Sequence, residues 1–231
     1  MKSLTHVLPR FTNRGESVSR LEGFSDAVFG FAITLLVVSL TVPTHFHDLL
    51  DQLRSLPVFA LTFAAVATIW HSQYAFFRRY GLSDSTTIVL NLVLLFVVLF
   101  FVYPLKFLFG LALQVNGVTI RTDEVPLLFL IYGAGFSAVN LIFAVLYVRA
   151  YRLRHDLGLS PWEQWVTRLS IIDHTSVMAI GFLSVGLAYV VPEPFTSPVA
   201  GFTYFLVGVE KFMVGWVRGR RARALARSTS R

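Results

Sequence analysis

Charged and hydrogen-bonding side chains are scarce in the apolar stretches of this chain, and each one there costs energy unless it has a partner. The first set is Arg20, Phe24, Ser25 and Asp26, at the head of the run RLEGFSDAVFGFAITLLVVSLTV over 20–42. A carboxylate and a hydroxyl near a helix start can satisfy free backbone N–H groups. They can also accept hydrogen bonds from neighbouring helices. Trp70, His71 and Asn91 offer an indole N–H, an imidazole and an amide at similar depth. An inter-helix lock is the better reading, and its role is architectural, because side chains so engaged are used up by one another. A second set is Asp173, His174, Thr175 and Ser176. A proton relay is one reading, since His titrates near neutral pH. A satisfied buried network is the favoured one, with Asp173 paired to Arg168 or to a neighbouring helix. Glu210 and Lys211 are adjacent, point in different directions, and are expected to pair elsewhere or to snorkel.

Other chemistries find little support. His45, His47 and Asp48 could be read as a metal site, but no further ligand cluster follows, and a solvated mouth is preferred. There is no cysteine, which excludes disulfides and thiolate metal sites. No HExxH, GxSxG or P-loop motif occurs, and no nucleophile has a base in a supporting context, so the chain is read as no enzyme and as needing no cofactor.

The elements that must position these residues are long and apolar. The 231 residues are 55% hydrophobic and 14% charged. A soluble domain carries about a quarter charged residues. The class is therefore an all-α membrane protein. Six apolar runs are long enough to cross a bilayer as helices: 22–42, 56–78, 86–112, 125–149, 166–191 and 198–217. They lack the alternation of a membrane barrel. Pro104 is expected to kink the third. Gly133, Gly135, Ser137 and Ala138, near Asn140, predict close helix packing in the fourth. Leu49, Leu50 and Leu53 could give 44–55 one apolar face, as in a short interfacial helix.

Charge sets the orientation. Arg14, Arg20, Arg78, Arg79, Arg149, Arg152, Arg154 and the arginines from Arg218 to Arg231 fall on one side of a six-span layout. The other side holds Arg54 and Arg121 among Asp48, Asp51, Asp123, Glu124 and Glu193. The basic side is expected to be cytoplasmic, with both termini there. Three regions follow: a basic, loosely ordered arm over 1–19, a helical domain over 20–217, and a basic tail over 218–231. The net charge of +7 is explained by this arrangement. No nucleic-acid-binding motif is present, and the aromatics are not interleaved with Lys and Arg, so no nucleic-acid partner is expected.

The pattern R-x-x-x-F-S-D at Arg20, Phe24, Ser25 and Asp26, followed by AVFGFAITLLVV, resembles the signature of the bacterial and lysosomal transmembrane protein 175 family. Trp70-His71 and Asn91 fit that family's buried network. The resemblance is most specific over 20–40 and is one of hydropathy and layout beyond the third helix. It implies a passive potassium-permeable channel of the bacterial inner membrane. It also implies a homotetramer in the lipid bilayer, with the pore lined by the first helix of each subunit. Carried over residue by residue, the apolar constriction falls at Phe31, Leu35 and Val38, with Thr34 contributing to selectivity. The innermost of these positions is usually isoleucine or leucine in the family, and here it is Phe31. Positions 31, 34, 35 and 38 share one helical face, although nearly every neighbour is apolar too. No carbonyl filter of the TVGYG kind is present, so selectivity would rest on apolar rings, partial dehydration and hydroxyls such as Thr34 and Ser39. The rival reading is a proton-coupled secondary transporter working through Asp173 and His174.

Overall fold

The computed structural model describes residues 11–15, 17–38, 42–115, 117–192 and 194–228. Among these residues all regular structure is helical. The first apolar run forms α1 (Arg20–Val38). The loop after it holds the short α2 (Phe46–Arg54), whose Leu49, Leu50 and Leu53 are all exposed. Then come α3 (Leu56–Tyr80), α4 (Ser85–Ala112), α5 (Val125–Arg152) and α6 (Pro161–Val190). The five long helices α1, α3, α4, α5 and α6 are apolar enough to cross a membrane.

The helices begin and end where local chemistry directs. Asp84 caps α4 by accepting from the Thr86 and Thr87 amides at 3.0 and 3.2 Å. At α6, Ser160 and Glu163 form a reciprocal capping box, with Pro161 just inside the first turn. Helix α3 stops at Gly81, whose φ of +61° is a left-handed conformation that a side chain would strain.

The sixth expected span is divided. Its residues fall into α7 (Thr196–Phe202) and α8 (Phe205–Ser228). Between them the chain tightens: the Tyr204 amide donates to Gly201 O at 3.1 Å and the Leu206 amide to Thr203 O at 3.0 Å. These bonds reach back only three residues, as in a 3₁₀ turn. Helix α8 then runs without a break past 217 into the arginine-rich tail, so no element boundary separates domain from tail.

Two groups of helices result. In the first, α1 packs on α3 and α4. In the second, α6 packs on α5, α7 and α8. The α4–α5 contact joins them. At the basic end an aromatic cluster reinforces the joint, with Tyr147 of α5 edge-on to Phe76 and Tyr80 of α3 at 5.3 and 5.9 Å. The α5–α6 contact is close because it lacks side chains: a Cβ at Gly133 would lie 3.2 Å from the Gly181 carbonyl oxygen.

Candidate functional site: the two faces of the first helix

Helix α1 is buried along one stripe and open along another. Ser25, Phe29, Ala32 and Leu36 recur every three or four residues and face α3 and α4. Between neighbouring helices inside a bilayer there is little hydrophobic driving force, so this face depends on close packing and hydrogen bonds.

The hydrogen bonds form a directed chain. Gln73 Nε2 donates to Asn91 Oδ1 at 2.9 Å, Asn91 Nδ2 donates to Ser25 Oγ at 2.8 Å, and Ser25 Oγ donates to the Leu21 carbonyl at 2.8 Å. Ser25 and Asn91 are wholly buried and Gln73 nearly so. Beside this chain, Trp70 Nε1 donates to Asp26 Oδ1 at 2.8 Å. Three helices are thus tied by neutral groups, plus one carboxylate that has a donor.

Of the seven residues expected in the lock, the structure brings together Ser25, Asp26, Trp70 and Asn91. It adds Gln73 and leaves out three. His71 is exposed and only flanks Tyr74, with ring centroids 6.4 Å apart. It follows Trp70 by one residue, a turn of about 100°, so the two cannot both face α1. Gln73, three residues past Trp70, returns to the correct side. Arg20 is exposed, and its side chain makes no hydrogen bond or ion pair with another described residue. Phe24 is 53% exposed and points away from the packed face. Nor do Ser25 and Asp26 cap the helix. Ser19 and Glu22 do that, with Ser19 N to Glu22 Oε2 at 2.8 Å and Glu22 N to Ser19 Oγ at 3.1 Å.

The open stripe carries the residues assigned to the pore. Phe31 is 56% and Val38 71% exposed, Thr34 is exposed, and Leu35 is half-buried. Phe24 precedes Phe31 by seven residues, two turns, and extends the same stripe. Thr34 Oγ1 donates to the Gly30 carbonyl at 2.9 Å, which leaves its oxygen lone pairs free to accept or to coordinate. Ser39 lies outside the described residues.

The second polar set divides between partners. Lys211 Nζ of α8 meets both Asp173 oxygens, at 2.6 and 2.7 Å. Asp173 therefore pairs with α8 and not with Arg168, which instead donates to the Tyr151 hydroxyl. Glu210 lies 3.9 Å from the same ammonium, and neither of its buried oxygens has a hydrogen bond. His174 Nδ1 lies 3.1 Å from Asn140 Oδ1, and its ring stacks on Phe143 and Tyr147. Asp173 and His174 are neighbours in sequence with separate partners in space. His174, Asn140 and Lys211 all border a cavity of about 470 Å³ that is otherwise mostly apolar, lying among α3, α4, α5, α6 and α8.

Beyond α1's inner end, residues 11–15 are docked. Glu163 is 2% exposed and accepts from Arg14 Nη1 and Nη2 at 3.2 and 2.9 Å. It also takes the Thr12 amide at 2.8 Å and the Ser160 amide at 2.9 Å. Arg14 further donates to the Leu157 carbonyl at 2.7 Å, and the Arg14 amide to the Arg78 carbonyl at 3.1 Å. A Cβ at Gly81 would come within 3.1 Å of the Arg14 carbonyl. Residues 11–15 are thus a strap fastened to both helix groups, where the sequence suggested a loosely ordered arm. Nearby, Asp84 meets Arg149 at 2.6 Å. Partial burial opposes its charge, but hydrogen bonds from Arg149 and Thr87 hold the carboxyl down at about 2. At the opposite end, His45 lies 3.4 Å from Asp48 and His47 3.1 Å from Asp51, so the two imidazoles serve different carboxylates.

This geometry has counterparts among known proteins. Residues 20–101 match the model of the family described as endosomal/lysosomal potassium channel TMEM175. A potassium channel of Marivirga tractuosa is 38% identical over 232 residues, with 94% of each chain covered. The crystal structure of a threonine-to-alanine variant of the potassium channel MtTMEM175, in complex with a nanobody–MBP fusion protein, matches at a TM-score of 0.82 and 36% identity. The match covers 93% of this chain and 99% of that one. A lysosomal potassium-selective channel TMEM175 homologue from Chamaesiphon minutus shares the fold at a TM-score of 0.50 and 24% identity, with 84% and 96% of the two chains covered. These relatives are channels, not enzymes. The matched stretch begins at Arg20 and takes in both the packed and the open stripe of α1. The chain belongs to the TMEM175 family of potassium channels.

Proposed function

We propose that this chain conducts potassium passively, in preference to sodium, through a central pore lined by α1 of each subunit in a homotetramer. The observation that carries the reading is the open stripe of α1. Phe31 and Val38 are large, apolar and more than half exposed, away from the buried stripe of Ser25, Phe29, Ala32 and Leu36. Such a face needs a partner, and one pore helix per subunit closes a ring only when copies assemble around an axis. Rings of Phe31, Leu35 and Val38 would form the constriction and gate by dewetting, with Thr34 supplying oxygen to a partly dehydrated ion. The permeant ion is the only ligand required.

In this reading α7 and α8 together make the sixth crossing. The basic rim of Arg14, Arg78, Arg149 and the tail faces the cytoplasm, and the membrane is the bacterial inner membrane. The proton-coupled transporter is the weaker reading, because Asp173 and His174 have separate partners and form no relay with each other.

The test is ion flux from vesicles containing only the purified chain. Potassium efflux down its gradient, faster than sodium efflux and without saturation, is the expected result. No potassium flux, or flux that saturates and follows a pH gradient, would overturn it.

A further inference from the structure

The cavity among α3, α4, α5, α6 and α8 has no part in the potassium reading. Among the described residues none of α1 lines it, so assembly through the open stripe of α1 leaves it inside each subunit. Its lining follows α5 from Leu128 to Phe143, about 20 Å of helix. Spread over that length, a volume of about 470 Å³ has a mean width of about 5 Å, which admits one hydrocarbon chain. The walls are apolar, with Val98, Phe101 and Leu105 of α4 and Phe129, Phe136 and Val139 of α5. A held water needs two to four polar partners, which most of this length does not offer. Left empty, the lining would forfeit its dispersion contacts on that side.

One end of the cavity is polar. Asn140 Nδ2 donates to the Phe136 carbonyl at 2.9 Å, which turns its Oδ1 toward His174 Nδ1, 3.1 Å away. An amide oxygen only accepts, so Nδ1 carries the hydrogen and Nε2 of the neutral ring is left as an acceptor. Nε2 forms no hydrogen bond among the described residues. Phe143 and Tyr147 hold the ring by stacking at 5.0 and 5.4 Å. Lys211 offers an anion little, since its ammonium meets both Asp173 oxygens at 2.6 and 2.7 Å and lies 3.9 Å from Glu210. Asn140 and His174 sit near the middle of α5 and α6, where a charged headgroup would be stripped of water. A ligand for this end brings a hydrogen-bond donor and no charge. We propose that the cavity binds an uncharged single-chain lipid ending in a hydroxyl, a long-chain alcohol by chemical class. Its hydroxyl donates to His174 Nε2, and its chain runs along α5 toward Leu128. There it fills the space between α3 and α4 of the first helix group and α5, α6 and α8.

The site is tested on the purified full chain in dioleoylphosphatidylcholine vesicles with a diazirine-bearing long-chain alcohol, the labelled positions being read by mass spectrometry of peptides. Label is expected at cavity positions such as Leu105 and Tyr132. Unlabelled 1-dodecanol should displace it at a membrane mole fraction about threefold to tenfold lower than dodecane requires, the effect of one hydrogen bond. Laurate and dodecylammonium should do no better than dodecane. His174→Phe, which keeps a ring against Phe143 and Tyr147, should reduce the alcohol to the level of the hydrocarbon. Ala65→Phe with Val139→Phe should fill the space and abolish the label. Val145→Phe, on α5 but outside the cavity, should leave it unchanged. Label confined to exposed positions such as Val145, or no advantage of 1-dodecanol over dodecane in the parent chain, would overturn the site. Laurate or dodecylammonium as the best competitor would make the headgroup a charged one and also overturn it. The competition series needs no variant to fold. Since the readout is labelling and not flux, failure here is distinct from failure of the potassium reading.

Discussion

Helices α1 and α8 open and close the helical part of the chain, and they are held in different ways. Along its packed face α1 is tied by neutral groups: Ser25, Asn91 and Gln73 are buried and each has a partner. Helix α8 is tied by charge. Its Lys211 is half exposed, clasps Asp173, and leaves the Glu210 oxygens without hydrogen bonds. Neutral hydrogen bonds are short-range and directional, and they fix the rotation of a helix about its own axis. An ion pair on a long side chain tolerates sliding. The directional bonds suit the proposed reading of α1, in which its open stripe faces a fixed axis.

The largest effect should come from the strap. Arg14→Ala leaves the Glu163 carboxylate buried without its cation, a loss of about 3–5 kcal/mol for a buried pair. Thermal unfolding in detergent should show it, and an unchanged midpoint would mean that the strap does not anchor α1. Asn91→Leu comes next. It removes both side-chain bonds in the middle of the network and should cost about 1–3 kcal/mol, with His71→Ala near zero in the same assay. Equal effects would erase the distinction drawn between the two residues. At α8, Lys211→Met should cost about 1 kcal/mol, and adding Asp173→Asn should recover part of it, since removing both charges leaves neither unpaired. No recovery would show that the pair is not a unit. The open stripe should be mild for stability and the clearest for conduction. Leu35→Ala should change the unfolding midpoint less than Lys211→Met does and raise single-channel conductance severalfold. A conductance equal to the parent's would remove Leu35 from the constriction.

Much of the first helix group was legible in the sequence because its signals are local. Runs of apolar residues gave the helices, and rare polar side chains within them marked the lock. The error at His71 came from naming neighbours in sequence where a helix separates neighbours by about 100°. Gln73 carries a readable signal, an amide three residues from Trp70 inside an apolar run. The second group was less legible. The partner of Asp173 is 38 residues away on α8, and no spacing rule distinguishes it from the nearer Arg168. The division of the last span depends on a turn at 203–204 that hydropathy does not register. The strap gave no local signal. A short basic segment reads as solvated until Glu163, buried and 149 residues away, is known to need a cation.

That separation has a consequence for biogenesis. Arg14 cannot meet Glu163 until 149 further residues have been made. At about 5–20 residues per second, the wait is roughly 7–30 s. The Asn91–Ser25 bond, 66 residues apart, forms earlier. The strap's backbone bonds to Arg78 and the Asn91–Ser25 bond can thus form before the strap gains its ion pair with Glu163. A chain truncated before α6 would keep the strap's backbone bonds to Arg78 but leave Arg14 without its carboxylate.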